Sequence, residues 1–135
     1  MMKLEAVLAV ISKYANLHGR FHHSTEDTHC IVGGLAHEAG IDTGDINTVT
    51  SAGGAAVSAA LTKQYGLSHD QLLAMELIND HYRDTQILAR RGALTAQVRK
   101  WKKMEERVSK SKRALKVKAQ VVEAQGVQRT LTLGG

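Results

Sequence analysis

The chain has 135 residues, no proline, one cysteine and a formal net charge of +5. That length fits one domain with a core of ordinary size and leaves no room for a second independent one. A lone cysteine excludes an internal disulfide and favours a reducing compartment, and one Trp, one Phe and three Tyr are too few rings for a stacking platform that holds single-stranded nucleic acid.

Leu4, Val7, Leu8, Ile11 and Ala15 recur at helical spacing and predict a first amphipathic helix over Leu4–His18, ended by Gly19. Glu5, Lys13 and Asn16 interrupt the apolar residues of this N-terminal stretch, which lacks the composition of a signal peptide. Arg20 to Glu26 is polar and histidine-rich, and reads as a loop. Asp27 or Thr28 is positioned to cap a second helix through Cys30, Ile31, Leu35 and Ala36 that ends near Gly40. Gly33 and Gly34 inside it cost about 1 kcal/mol each relative to alanine; close packing of another helix, or a bend, would account for them.

Residues 41–54 read as an irregular loop, and Ala55–Gln64 as a short helix closed by Gly66. Ser68 with Gln71 three residues on matches a capping box, opening a helix with Leu72, Leu73, Met75, Leu77 and Ile78 as its stripe. Asn79-Asp80 is expected to break or kink it, and Asp84 or Thr85 to cap the next.

From Thr85 to about Gln125 there is one glycine, Gly92, and Ile87, Leu94, Trp101, Val108, Leu115 and Val122 stand seven apart. This is one side of a heptad seam. The positions four residues further on, Arg91, Val98, Glu105, Lys112 and Ala119, do not supply the other. A long helix with a narrow apolar line follows, lying on its own body at first and on a partner or sister chain beyond. Gly126 is expected to end it, and the alternation from Val127 to Leu133 predicts an extended tail. The fold class is therefore all-α: a compact bundle of about four short helices, a long basic C-terminal helix and a short extended tail. The expected divisions are a core over 1–98, a basic arm over 99–126 and a tail over 127–135.

Cys30-Ile31-Val32-Gly33-Gly34-Leu35, Tyr65-Gly66-Leu67-Ser68 and Ile78-Asn79-Asp80 together resemble small actinobacterial and phage proteins of unknown function. These carry a Cys-x-x-Gly-Ala-Leu helix, a later amphipathic helix and an Asn-Asp pair. The resemblance spans residues 4–95. Gly34 stands where that family usually has alanine, and Ile78 where it often has tryptophan. The resemblance implies a phage or mobile-element origin and a cysteine on the apolar side of its helix; it implies no activity and does not extend to Arg99 onward.

Three patterns invite chemistry. Cys30 near a helix N-terminus suggests an activated thiolate, with His22, His23, His37 or His81 as base and Asp80 to orient it; the alternative is a small buried apolar residue. His22, His23, His29 and Cys30 offer zinc-type ligands, but their spacing matches no established motif, so neither metal nor cofactor is expected. Asp80 is expected to cap the next helix or to bond the backbone of the second helix near Gly33.

Charge gives the strongest signal. Between Arg99 and Lys118 lie ten basic residues and two acidic ones, Glu105 and Glu106, a net +8. With 18 basic and 13 acidic residues in all, 8 and 11 remain elsewhere, so the other residues carry −3. A basic segment on a slightly acidic body points to a polyanion or an acidic protein surface; a solvated face that keeps the protein soluble is the alternative. The candidate contact residues are Arg99, Lys100, Trp101, Lys102, Lys103, Arg107, Lys110, Lys112, Arg113, Lys116 and Lys118. Such a helix can follow phosphates without reading sequence, or dock on an acidic protein with Trp101 as anchor.

The apolar line is too narrow for deep insertion into a membrane, and no stretch approaches the ~20 apolar residues that span one. The expectation is a non-enzymatic phage or mobile-element protein, a host-takeover or anti-defence inhibitor or a virion component. It would act in the (host) cytoplasm or virion and bind a macromolecule through the basic helix, with homo-oligomerisation open. A nucleic-acid-binding accessory protein is the second reading, and a cysteine- or zinc-dependent enzyme the third.

Overall fold

The structure, a computed structural model, describes residues 1–16, 19, 29–44 and 46–134, with side chains through 122. It is all-helical among those residues: α1 Leu4–Lys13, α2 Ile31–Glu38, α3 Gly54–Tyr65, α4 His69–His81 and α5 Ile87–Gly134. The chain divides into two compact units, residues 1–100 and 101–135.

The first unit is organised around α2, which meets α1, α3 and α4. Every residue from Ile31 to Ala36 is buried, so this short helix is apolar on all sides, as a central helix must be. Gly34 admits a close neighbour. A Cβ there would lie 2.6 Å from Tyr14 Cβ and 2.8 Å from Tyr14 Cγ, so the close packing expected of the glycine pair occurs at Gly34. Tyr65 reaches the same helix from α3, donating its hydroxyl to the Leu35 carbonyl at 2.8 Å. Around α2, Val7, Val10 and Ile11 of α1, Val57 and Leu61 of α3, and Leu72 and Met75 of α4 complete the core.

Several element ends differ from expectation because partners distant in sequence set them. α1 stops at Lys13 rather than His18. Ala15, fully buried, turns the chain with φ +64°, a left-handed conformation that a non-glycine residue holds only when its surroundings fix it. Those surroundings are two arginines of α5: Arg91 Nε donates to the Tyr14 carbonyl at 2.9 Å and Arg90 Nη1 to the Ala15 carbonyl at 2.9 Å. Gly19 serves elsewhere, donating its backbone N–H to Asp80 Oδ1 at 2.8 Å.

For α2, the expected caps Asp27 and Thr28 lie outside the described residues. Its cap is Cys30, whose sulfur accepts the Gly33 N–H at 3.3 Å. The Ile31 N–H goes to Asn79 Oδ1 at 3.0 Å. This corrects the role given to Asp80: Asn79 bonds the start of α2, while Asp80 accepts from Gly19 and from Asn79 Nδ2. Nor does the pair break its helix, since α4 continues to His81.

α3 opens one residue earlier than expected and closes at Gly66, whose φ of +72° and contact with the Met1 carbonyl leave no room for a side chain. The capping box at α4 is present in both directions, Gln71 N to Ser68 Oγ at 3.1 Å and Ser68 N to Gln71 Oε1 at 2.9 Å. The irregular stretch before α3 is tied down by Glu76, which accepts the Val49 N–H at 2.8 Å; burial pushes the Glu76 carboxyl above its usual range.

α5 continues past Gly126 to Gly134, so helical backbone over residues 127–134 replaces the extended tail expected there. One interior glycine costs about 1 kcal/mol and does not by itself stop a helix that is already propagating.

Candidate macromolecule-binding helix

Two arginines of α5 were not singled out by sequence, and they fix where this helix begins its course. Among the described residues Arg90 is the largest fully buried side chain. Its guanidinium donates to three carbonyls: Asn79 at 2.9 Å, Ala15 at 2.9 Å and Tyr82 at 2.6 Å. These lie at or just past the C-terminal ends of α1 and α4, where unpaired carbonyls and the helix dipoles favour a cation. Asp84, 3.6 Å away, adds a carboxylate. Arg90 thus joins three helices. A signal for it existed: it stands four residues before Leu94 and eight before Val98, both 0% exposed, on one helical face.

The candidate contact residues follow on the same helix. Arg99 and Lys100 belong to the first unit and Trp101 to Lys118 to the second. Of the ten basic side chains from Arg99 to Lys118, nine are exposed and Lys102 is half-buried; Trp101 is half-buried as well. Taking about 100° per residue, nine of the ten fall within an arc of about 200°, along about 30 Å of helix. Lys112 lies outside that arc.

On the opposite side, Trp101, Met104, Val108, Leu115 and Val122 fall within about 60°. Met104, Val108, Leu115 and Val122 are 50 to 67% exposed. Val117 and Val121, also exposed, interrupt the charged face. Helix formation in the second unit places charge and apolar surface on two sides of the helix there, which is what the sequence pattern requires.

The first unit also has a shallow open groove of about 500 Å³ between α1 and the start of α5, lined by Leu8, Ile11, Leu88, Gly92 and Thr95 with Arg91 and Arg99. Leu88 is 84% exposed. This groove escaped the sequence because it is formed by helices more than 70 residues apart in the chain.

Cys30 is buried, and burial pushes its thiol up to about 12, against the usual 8.5. The sulfur serves as a helix cap, and a thiol so raised is a poor nucleophile. His29 stacks on His37 with ring centroids 4.6 Å apart, and Tyr14 meets both edge-on; Glu38 accepts from the Tyr14 hydroxyl and from Lys13. His22 and His23 lie outside the described residues, and among those described no three His, Cys, Asp or Glu side chains converge as metal ligands. His81 sits edge-on to Tyr82. Among the described residues no helix is long and apolar enough to cross a membrane.

Comparison of the chain with protein-family models, with curated proteins and with solved structures finds no match. The class stated here therefore rests on the fold and on this helix: an all-α protein with a long basic amphipathic C-terminal helix.

Proposed function

We propose that this chain is a binding protein without catalytic chemistry, which engages an acidic protein surface through residues 99–118. One observation carries the reading: nine exposed basic side chains and a half-buried tenth follow one another on a single helix. A field of that sign and density draws an acidic partner and speeds encounter. The resemblance to phage and actinobacterial proteins supports only a phage or mobile-element origin; a place in host takeover, defence inhibition or a virion is the role that origin would suit.

A second reading, nucleic-acid binding, is favoured by the length and breadth of the charged face. About 30 Å of helix with cations over about 200° suits a phosphate backbone and carries no sequence information.

Polyglutamate and a mixed-sequence 20-bp DNA duplex, each titrated with the full chain across a salt series, test both. The acidic-protein reading expects binding to polyglutamate that weakens steeply with salt and is lost in the Lys102→Glu/Lys103→Glu/Arg107→Glu variant. Preference for the duplex, with affinity falling about 10³-fold between 50 and 200 mM salt, selects the second reading. No binding of either probe at 50 mM salt sinks both.

A further inference from the structure

The charges on α5 do not explain its apolar side. Leu94 is 0% exposed, yet the same heptad column continues as Val108, Leu115 and Val122, each more than half exposed, with Met104 one turn from Trp101. Valine is a poorer helix former than the lysine, glutamate and glutamine that fill solvated helix positions, so nothing about the helix itself calls for this stripe.

A second copy of the chain is a poor cover for it, because pairing two such stripes sets +8 beside +8. A single partner helix is a poor cover too. The column flanking the stripe is Glu105, Lys112 and Ala119, so the apolar surface is one ridge and not the two columns of a seam. A ridge is covered by a groove.

We infer that residues 101–122 dock as a helix into an apolar groove with an acidic rim on a partner protein. Trp101, Met104, Val108, Leu115 and Val122 enter the groove, and the cations that flank the stripe, Arg107 and Lys118 on one side and Lys112 and Lys116 on the other, meet the rim. The spacing of these anchors is that of helix-in-groove recognition, and the charge complementarity names the rim. This rests on the acidic-partner reading above and specifies the partner's shape.

Calmodulin is a suitable probe, since calcium opens its apolar grooves, while its calcium-free form keeps the acidic charge with the grooves closed. The full chain is titrated with each form, following the emission of Trp101, the sole tryptophan. The expected result is binding about 100-fold tighter to the calcium-loaded form, with a blue shift as Trp101 is buried. Val108→Gln/Leu115→Gln, which retains good helix formers, is expected to abolish that preference while leaving helix content and polyglutamate binding unchanged.

Equal or tighter binding to the calcium-free form shows attraction by charge alone and overturns the inference. So does failure to bind either form when polyglutamate still binds; in both cases the acidic-partner reading survives. Failure with all three probes overturns both.

Discussion

Between Ile87 and Lys100, α5 buries Arg90, Leu94 and Val98 completely; between Trp101 and Val122 the same helix leaves Val108, Leu115 and Val122 at 52, 67 and 60% exposed. The residue types are alike in the two stretches, and their surroundings are not. Arg90 is a cation enclosed by carbonyls from two helix ends, whereas Arg107, Lys110 and Arg113 face solvent. A guanidinium whose hydrogen bonds are made within the chain is architecture. One that faces water keeps its charge available to something else. The comparison therefore assigns the first stretch to the fold and leaves the second to the proposed binding role.

The largest effect that could break this division comes from Arg90. Replacing it by methionine leaves the carbonyls of Ala15, Asn79 and Tyr82 without their donor in a buried place. Urea unfolding is expected to show a loss of about 3–5 kcal/mol, against less than about 0.5 kcal/mol for Arg107→Met. Equal effects at the two arginines would mean that the buried network contributes little.

The apolar column gives the next largest contrast. Leu94→Ala is expected to cost about 2–5 kcal/mol through the cavity it leaves. Leu115→Ala, on the same column, should change stability by less than about 0.5 kcal/mol while weakening partner binding. If Leu115→Ala destabilised the free protein as much as Leu94→Ala, the stripe would already be covered within the molecule.

How much of this was legible depended on how far apart the interacting residues lie. The capping box of α4 was readable because Ser68 and Gln71 are three residues apart. The basic segment was readable because charge density is a property of composition. The ends of α1 and α2 were not, because Ala15 is held by Arg90, 75 residues on, and Ile31 by Asn79, 48 residues on. The Asn-Asp pair was correctly marked as structural, but with its members exchanged. Either side chain can accept a backbone N–H, and only the geometry of α4 decides which one faces α2. At Gly126 the local breaker signal was outweighed by the continuity of the helix.

Gly34 tests the packing of the first stretch at a smaller scale. Alanine there gains about 1 kcal/mol in helix propensity, but its Cβ would stand 2.6 Å from Tyr14 Cβ. Overpacking of this kind costs about 1–3 kcal/mol, so Gly34→Ala is expected to lower the urea midpoint. In a Tyr14→Gly background, which removes the Cβ itself, the same change should become neutral or stabilising, and the double-mutant cycle measures the clash. A stabilising Gly34→Ala in the intact protein would show that α1 and α2 have room to separate.

Cys30 gives the smallest effect, visible only against pH. Burial pushes its thiol up to about 12 in the folded chain, whereas in the unfolded chain it ionises near 8.5. Below that lower value both states hold the proton, and the thiol contributes no pH dependence. As pH rises from about 8.5 towards 12, the unfolded state loses its proton first, so folding stability must fall. Cys30→Ser keeps an acceptor for the Gly33 N–H and does not titrate there. The stability of the wild type minus that of the variant should therefore be flat up to about pH 8 and decline above it. Tyr14 and Tyr65, also pushed up by burial, bend both curves the same way and cancel in the difference. A flat difference through pH 10 would mean that the sulfur is open to solvent, and would return Cys30 to the list of groups able to react.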